Sequence, residues 1–538
     1  MNLPKDFENY FLRVWKEEDV AALIRGLDAE PVVSIRLNTK RLPTNAEPIG
    51  ADGHVPWCQE GIYLRERPVF TADPLLHAGA YYVQEASSMF LAHILRSLQG
   101  QSTTTNPPSA THNQQPKPLY QQPSIFNIQP SRALDLCAAP GGKSTLLRSL
   151  LPDDCLLVSN EPVRARAQVL AENLAKWGHP NVVVTQAFAA DISQAVEEGS
   201  PLVMGDNTIT LSPFDLILAD VPCSGEGMMR KEAEAIAQWS PSLVAECAAL
   251  QRSIIHDIWP ALRPGGILIY STCTFNPEED EENVEWIARE LDAEILPIPI
   301  DPTWNIRGDL RKRENKEGEA PSNPIPQTGI PYNPVSQTGI PCNPDSQAGM
   351  PCNPVSQAGI PCYPVSQTGI PCYHFLPGEI RGEGFFLAVL RKHASSNNSA
   401  PSNSPHELTF LDNSNELTFL DKSNELVLGG FPAENPSPKK KSKKKKNRAP
   451  RTPALPVLPT NQLDQDGVPQ VELTLADAIR YLQHEALVLP PETPHGIVQV
   501  CYRGQRLGLM KNLGTRANNL FPKEWRIRSS FLSPSSLF

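Results

Sequence analysis

Three residues with reactive side chains lie directly after two apolar segments of the sequence. Asp220 and Cys223 end the segment LILADVPC, and Cys273 ends the segment LIYSTC. A lone cysteine at the end of a strand is usually a small core residue. Two thiols at neighbouring strand ends, with a carboxylate beside one of them, favour a reactive site over simple packing.

A glycine-rich turn in ALDLCAAPGGKST, residues 133–145, is the second candidate site. A strand that enters such a turn and continues into a helix is typical of a nucleotide-type pocket, because glycine lets the backbone approach the ligand and the helix offers free N–H groups. The letters GKS also suggest a phosphate-binding loop. That motif needs a glycine five positions before its second glycine, where this chain has Cys137. The sequence therefore favours another cofactor pocket over a phosphate loop, and a plain structural turn is the minor alternative.

Glu161 follows the next strand-like run, about 20 residues after the turn. An acid in this position is placed to accept hydrogen bonds from ribose hydroxyls. A solvated glutamate at the start of a helix is the alternative interpretation.

The elements that must position these residues alternate between strand and helix. Helical patterns occupy Val163–Trp177 and Ser253–Leu262, and the strand-like runs are Ala133–Cys137, Cys155–Asn160, Asn181–Thr185, Phe214–Ala219 and Gly266–Tyr270. Strands alternating with helices predict an α/β fold with a doubly wound, mostly parallel sheet. Ligands of such sheets bind at the carboxyl ends of the strands, where the candidate residues lie.

Folded sequence also flanks this region on both sides. The patterns predict a strand at Pro31–Asn38 and an amphipathic helix at Val83–Leu98 on the amino-terminal side. Further along they predict a buried strand at Phe385–Leu390, a helix at Leu473–His484 and a compact β unit from Gly496–Tyr502.

Four polar stretches interrupt the folded sequence. Residues 100–130 and 393–437 are rich in Ser, Pro and Asn or Gln, which predicts segments without a core of their own. Five tandem decapeptides span Asn323–Cys372, and we expect a disordered insertion there. Their prolines count against a β-solenoid, and a cysteine every ten residues lacks metal-site spacing. Seven lysines within Lys439–Lys446 form either a solvated linker or an extra phosphate contact, and both interpretations stay open.

Composition narrows the class of protein. We see no secretory signal and no run of about 18 apolar residues, so the sequence predicts a cytoplasmic protein without a membrane span. The eleven cysteines show no disulfide framework, which favours free thiols in a reducing compartment. A net charge of −11 counts against non-specific nucleic-acid binding. We expect Glu278–Glu282 to be acidic surface that contributes to this charge, so that any RNA affinity would come from local patches.

Three segments resemble the motifs of the Sun (NOL/NOP/Sun) family of RNA cytosine-C5 methyltransferases: DLCAAPGGK, DVPCSGEGMMRK and YSTCTFNPEEDEENV. LPKDFENYF, VSIRLNTKR and HAGAYYVQEASSM resemble the family's amino-terminal module, and IRGEGFFLAVLRK resembles the strand that closes its sheet. GEGMMRK and residues 496–526 are similar to the bacterial RsmF branch, which carries an appended PUA-like RNA-binding region.

This resemblance implies a Rossmann-like class I methyltransferase domain, a small α+β amino-terminal module and a PUA-like carboxyl-terminal region. The expected boundaries are 1–99 for the amino-terminal module, 100–130 for a polar insertion, 131–392 for the methyltransferase domain with 309–373 as a disordered insertion, 393–468 for a disordered linker, and 469–538 for the PUA-like domain. The implied cofactor is S-adenosyl-L-methionine.

The resemblance also implies roles for individual residues. Cys273 would attack C6 of cytosine, Cys223 would assist product release, and Asp220 would hold the base edge near N3. The implied cofactor contacts are Cys137, Ala138, Ala139, Pro140, Gly141, Gly142, Lys143, Glu161 and Asp220. Asp191 is a weak candidate for the adenine contact, since the strand before it carries no acid.

RNA is the implied partner. Arg230 and Lys231 are the expected phosphate contacts, and weaker candidates are Arg36, Lys40, Arg503, Arg506 and Lys511. The branch implies a cytosine of 16S ribosomal RNA in the small subunit or its precursor, modified by a monomer without a metal ion. The alternatives are another ribosomal site, tRNA, or an RNA-binding assembly factor.

Overall fold

A computed structural model describes residues 1–42, 50–100, 128–204, 207–312, 369–394, 417–418, 457–458 and 467–528. The lysine run, the decapeptides up to residue 368 and most of the two Ser/Pro-rich segments lie outside these residues. The predictions made for them therefore stay predictions.

Helices and strands follow one another along the described residues. The helices are α1 (Lys5–Val14), α2 (Glu17–Leu27), α3 (Pro74–His77), α4 (Leu91–Leu98), α5 (Gly142–Leu150), α6 (Arg164–Trp177), α7 (Ala189–Glu197), α8 (Ala233–Gln238), α9 (Pro241–Ile258), α10 (Glu281–Glu290) and α11 (Leu475–Leu482). The strands are β1 (Val33–Leu37), β2 (Ala51–Val55), β3 (Cys58–Leu64), β4 (Tyr81–Val83), β5 (Arg132–Asp135), β6 (Leu156–Asn160), β7 (Val182–Thr185), β8 (Pro201–Met204), β9 (Asn207–Thr210), β10 (Phe214–Asp220), β11 (Leu262–Thr272), β12 (Ala293–Ile295), β13 (Tyr373–Phe375), β14 (Phe385–Lys392), β15 (Leu417–Thr418), β16 (Val457–Leu458), β17 (Gln470–Glu472), β18 (Gly496–Tyr502), β19 (Gln505–Asn512) and β20 (Ala517–Asn519).

The central sheet has the order β12-β14-β11-β10-β5-β6-β7, with β13 paired to β14. The five strands from β11 to β7 are parallel to one another, and β14 is antiparallel to β11. The predicted doubly wound, mostly parallel α/β sheet is therefore confirmed.

Both faces of this sheet are buried, because successive side chains of a strand point to opposite sides. In β10, Leu216 and Leu218 pack into one apolar cluster, whereas Ile217 and Ala219 pack into another. The continuous apolar runs of the sequence arise from this double burial.

Two predicted helices differ from the observed ones. The helix expected at Ser253–Leu262 begins at Pro241, where Ser240 Oγ accepts the Leu243 N–H at 3.2 Å, and Leu262 already starts β11. The helix expected at Val83–Leu98 is divided: β4 ends at Val83, a 3₁₀ turn occupies Ser87–Phe90, and α4 follows. The 3₁₀ turn forms because the Glu85 carboxylate accepts the N–H groups of Ser87 and Ser88.

The repeat insertion is also shorter than its expected bounds of 309–373. Leu310 packs against the amino-terminal helices, and Cys372 is fully buried against the central sheet. Tyr373 belongs to β13. The last residues of the final decapeptide have therefore become part of the core, although their sequence does not differ in kind from the preceding repeats.

Two smaller sheets flank the central one. The amino-terminal sheet has the order β2-β3-β1-β4, and the carboxyl-terminal sheet has the order β17-β18-β19-β20 with α11 packed against it. Helices α1 and α2 pack on residues that come after the two cysteines in the sequence, including Trp239 and Phe275.

Candidate active site

The two cysteine motifs meet at the carboxyl edge of the central sheet. Strands β10 and β11 are parallel neighbours with Asp220 opposite Ser271, so the loops that follow them begin side by side. The sulfur atoms of Cys223 and Cys273 lie 3.0 Å apart. The Cys273 N–H points to Cys223 Sγ at 3.4 Å, and the Gly227 N–H donates to the Cys273 carbonyl at 2.8 Å. Both thiols are partly exposed to solvent.

The contact between the two thiols changes the acidity of Cys223. The hydrogen bond with Cys273, followed by burial, raises the pKa of the Cys223 thiol well above its usual value. Cys223 therefore stays protonated at neutral pH, and it can act as a proton donor beside Cys273.

Asp220 is held from two sides at the same edge. Lys143 Nζ donates to one carboxylate oxygen at 2.8 Å, and Ser271 Oγ donates to the other at 2.8 Å. Burial lowers the pKa of the Lys143 ammonium, but the charge and hydrogen bond of Asp220 outweigh it and the pKa is raised. Lys143 also lies 5.1 Å from the Phe385 ring. The lysine of the glycine turn is thus joined to the acid of the Pro-Cys motif.

The glycine turn connects β5 to α5 and is fixed by several hydrogen bonds. The Ala138 N–H donates to the Asn160 carbonyl at 2.8 Å, and Asn173 Nδ2 donates to the Pro140 carbonyl at 2.8 Å. Gly141 has φ +113°, a conformation that favours glycine. Below the turn, burial raises the pKa of Asp135 to about 7, although Ser144 Oγ donates to this carboxyl at 2.6 Å.

Glu161 lies at the carboxyl end of β6 with its side chain only 1% exposed. One carboxylate oxygen accepts the Val163 N–H at 3.0 Å. The other accepts no hydrogen bond and lies 3.4 Å from Arg166 Nη1. Burial raises the pKa of Glu161. Asp191 lies in the first turn of α7, just after the neighbouring strand β7. The turn, Glu161 and Asp191 therefore share one edge of the sheet with the cysteines.

The expectation of an acidic surface at Glu278–Glu282 is wrong for three of its five residues. Glu279, Asp280 and Glu281 are fully buried. Asp280, for example, accepts the Thr272 hydroxyl at 2.6 Å and the Thr274 hydroxyl at 3.0 Å. Buried donors need partners, and each of the three acids accepts from internal donors: Asp280 from the strand and loop around Cys273, Glu279 from the Ser224 N–H beside Cys223, and Glu281 from the Leu310 N–H.

Sequence reasoning missed three residues of the site: Ser271, Glu226 and Glu279. Each lies within one of the two cysteine motifs, and that position was the available signal. Their roles depend on contacts between the motifs, which spacing along the chain does not reveal.

Two of the expected phosphate contacts are buried instead. Arg230 is bound to Glu383 at 2.5 Å with its side chain 3% exposed, and its guanidinium also donates to the Gly382 carbonyl at 2.6 Å. Arg36 is bound to the amino-terminal module and α5. Lys231, 3.1 Å from Glu383, and Lys40 keep more exposed side chains. Arg230 and Arg36 hold the fold together. The phosphate hypothesis is kept for the two lysines and for Arg503, Arg506 and Lys511 of the carboxyl-terminal region, which stay predictions.

Among the described residues, one group could hold a metal ion: Glu281, Cys372 and His374, all buried. His374 Nε2 lies 3.0 Å from Glu281 Oε1, so an internal hydrogen bond accounts for the proximity of these two residues without a metal ion. The eight cysteines of the described ranges are free thiols. Within the same ranges, none of the helices combines the length and apolar character that crossing a membrane requires.

Comparisons with known proteins agree with this architecture. Three family models match: "16S rRNA methyltransferase RsmB/F" at residues 126–312, "N-terminal domain of 16S rRNA methyltransferase RsmF" at residues 3–86, and "Methyltransferase RsmF PUA domain" at residues 468–527. Together they cover more than half of the chain.

Curated relatives include ribosomal RNA small subunit methyltransferase F of Klebsiella pneumoniae, 35% identical over 45% of this chain and 44% of the relative. The protein of the same name from Pectobacterium atrosepticum is 33% identical over 51% of this chain and 49% of the relative. The chain thus spans about half the length of the curated relatives it matches. A solved methyltransferase homologue from Pyrococcus horikoshii is 22% identical, with a TM-score of 0.45 over 72% of this chain and 95% of that one.

The matches and the observed sheet confirm the resemblance predicted from the motifs. An RsmF-type amino-terminal domain, a Rossmann-like methyltransferase domain and a PUA domain follow one another along the sequence. The chain belongs to the 16S rRNA methyltransferase RsmB/F family, with the domains of its RsmF branch.

Proposed function

We propose that the protein methylates C5 of a cytosine in 16S ribosomal RNA, with S-adenosyl-L-methionine as methyl donor and Cys273 as covalent nucleophile. The observation that carries the proposal is the 3.0 Å contact between the sulfur atoms of Cys273 and Cys223, beside the Lys143–Asp220–Ser271 chain. One thiol that adds to the base and a second that assists its release fit C5 methylation of cytosine by the two-cysteine chemistry that the resemblance implies.

The residues at the sheet edge fit the cofactor. Glu161 has a buried carboxylate oxygen that accepts no hydrogen bond, which suits a ribose hydroxyl. The turn Cys137–Gly142 brings backbone close to the ligand, and Lys143 and Asp220 lie beyond it. Asp191 is the remaining candidate near the adenine. When bound, the cofactor supplies an electrophilic methyl group.

Cys273 acts first. C5 of cytosine is too electron-poor to attack a methyl group, but addition of the Cys273 thiolate to C6, with uptake at N3 of the proton that the thiol gave up, makes C5 the nucleophilic carbon of an enamine. Asp220 faces N3 and the 4-amino group of the base in this proposal. Each of its carboxylate oxygens already accepts one hydrogen bond and has a second lone pair, so the acid can also accept from an N3–H.

Cys223 acts in release. Once C5 carries the methyl group, its proton passes to solvent water and the electron pair of the C5–H bond forms the C5–C6 double bond. The S–C6 bond breaks at the same time, which frees the Cys273 thiolate, and loss of the N3 proton to water restores the neutral aromatic ring. The raised pKa of Cys223 keeps a proton within 3.0 Å of that departing sulfur. Covalent catalysis of this kind divides one difficult step into several easier ones.

The RNA has to present an unstacked base to this edge, since a cytosine inside a helix cannot reach a thiol. We propose that Lys231 and the PUA domain bind the phosphate backbone. The small-subunit target, a cytoplasmic location and action as a monomer without a metal belong to the same proposal.

The proposal is tested by three variants. Cys273→Ala should abolish methylation of small-subunit RNA while the cofactor still binds. Cys223→Ala should accumulate a covalent protein–RNA adduct, seen as a slow band on a denaturing gel. Cys247→Ala, a thiol in α9, is the matched control and should behave as wild type.

Bisulfite sequencing of total RNA from a knockout strain should show one cytosine of 16S ribosomal RNA losing its mark, restored by wild type and not by Cys273→Ala. Normal turnover by Cys273→Ala would refute the nucleophile. Loss of 5-methylcytosine from tRNA alone would refute the ribosomal target, and the proposed reaction at C5 of cytosine would still stand.

A further inference from the structure

Two buried carboxylates cross between the loops that carry the cysteines. Glu226 follows Cys223 by three residues, yet its Oε2 accepts the N–H groups of Phe275 at 2.7 Å and Asn276 at 3.1 Å. Phe275 and Asn276 come directly after Cys273 and Thr274. One loop therefore fixes the backbone of the other just behind the nucleophile.

The second carboxylate makes the reverse connection. Glu279 follows Cys273 by six residues, and its Oε2 accepts the N–H of Ser224 at 3.0 Å, next to Cys223. The same oxygen accepts Gln251 Nε2 at 2.7 Å. Glu226 and Glu279 are both fully buried.

Asn276 joins the two acids. Its Nδ2 donates to Glu226 Oε1 at 3.0 Å and to Glu279 Oε1 at 2.8 Å, and its Oδ1 accepts the Glu279 N–H at 2.9 Å. Burial, and then the charge of Glu279, raise the pKa of Glu226 to about 7. Two neighbouring acids in a core are costly, so packing does not explain them. The two acids are explained instead by the backbone N–H groups of Ser224, Phe275 and Asn276, which would otherwise lack an acceptor.

We propose that Glu226 and Glu279 are positioning residues that set the separation of the two reactive sulfur atoms. We call Glu226, Asn276 and Glu279 the crossed clamp. The inference rests on the proposed function, because Cys223 and Cys273 are the reacting groups of the proposed methylation. Neither acid is hydrogen-bonded to the sulfur atoms among the contacts of the described residues, so each acts through the backbone it holds.

The clamp is also tied to the amino-terminal helices. Trp239 Nε1 donates to Glu226 Oε1 at 2.9 Å, and the Trp239 ring packs against Phe7 of α1 with ring centroids 4.9 Å apart. Helix α1 thereby covers the clamp and excludes water from its carboxylates.

The test uses Glu226→Gln and Glu279→Gln in the full chain. Glutamine has the same shape as glutamate. Its NH₂ group is a donor, however, and it would face N–H donors whose hydrogen bonds a carboxylate oxygen accepts in the wild type. Glu282→Gln is the matched control, because Glu282 is an exposed acid in the same run. Diamide removes two electrons and two protons from the thiols of Cys223 and Cys273 and leaves one sulfur–sulfur bond, which mass spectrometry of the peptides quantifies.

Disulfide formation should be about 10- to 100-fold slower in both clamp variants than in wild type, since a displacement of about 1 Å has effects of this size on proximity-driven reactions. The control should match wild type. With RNA, the clamp variants should lose kcat by a similar factor while KM and cofactor affinity stay within about twofold.

Wild-type rates of disulfide formation in cooperatively folded clamp variants would overturn the proposal. If wild type did not methylate RNA, the proposed function would fail while the thiol assay still tested the clamp. If neither variant folded, hydrogen exchange of the unaltered protein decides: the Ser224, Phe275 and Asn276 amides should exchange at least about 100-fold slower than in an unfolded chain, and free exchange would refute the clamp.

Discussion

Replacing Arg36 with lysine should destabilise the protein, although the charge is kept. The Arg36 guanidinium donates to Gln84 Oε1 at 2.7 Å, to Thr145 Oγ1 at 2.6 Å and to the Gly142 carbonyl at 3.3 Å. It also lies over the Trp177 ring at 4.5 Å. This side chain joins β1 to the first turn of α5, where the cofactor turn ends. Burial lowers the pKa of Arg36 to about 10, so the site favours a weakly hydrated cation.

The expected cost follows from these contacts. A compact ammonium cannot reach all three acceptors from one position, so at least one charge-assisted hydrogen bond is lost, at about 1.5–3 kcal/mol. Loss of stacking on Trp177 adds about 1 kcal/mol. We therefore expect Arg36→Lys to lower the free energy of unfolding by about 3 kcal/mol, which is a fall of about 6–12 °C in Tm.

Thermal unfolding followed by tryptophan fluorescence measures this effect. The control is Lys40→Met, because Lys40 is exposed and forms a surface ion pair with Asp153, and the loss of that pair should change stability by less than about 0.5 kcal/mol. If Arg36 were a phosphate contact, lysine would preserve both stability and the salt dependence of RNA binding. Unchanged stability of Arg36→Lys would refute the structural role assigned to the guanidinium.

Three further predictions concern single residues. Arg230→Ala should cost about 3–5 kcal/mol of unfolding free energy, because charge-assisted hydrogen bonds to the buried Glu383 carboxylate and to the Gly382 carbonyl are lost, each worth about 1.5–3 kcal/mol. Lys231→Ala removes only the more exposed partner of Glu383, so it should weaken RNA binding, lower the salt slope by about 1 and change Tm much less. Equal Tm values for the two variants would contradict this. The pKa of Asp135 rises from 3.8 to about 7 on folding, so the native state keeps a proton that the unfolded chain loses, and stability should fall by at most about 4 kcal/mol between pH 4 and pH 7. Asp135→Asn should flatten that part of the pH profile of chemical unfolding, and an unchanged profile would count against the buried acid. Lys143→Met should raise the Kd for S-adenosyl-L-methionine about 10- to 100-fold in equilibrium dialysis, since a charge-assisted contact is lost; an unaltered Kd would remove Lys143 from the cofactor site.

The sequence by itself determined the sheet and the edge at which the site lies. Apolar runs such as Phe214–Asp220 are long enough to be buried on both faces, and a parallel sheet is the arrangement that buries them so. Parallel strands end at one edge, so Asp220, Cys223 and Cys273 had to be neighbours once β10 and β11 paired. Local pattern and topology were sufficient for this part.

The tertiary structure alone decided which polar residues are internal. Glu279 and Asp280 look like surface acids in the sequence, and Arg36 and Arg230 look like phosphate contacts, yet the side chains of all four are buried. Whether a charged side chain faces water depends on donors and acceptors supplied by distant segments. Arg230 and Glu383 are 153 residues apart in the sequence, so their contact could not be predicted from the spacing of residues along the chain.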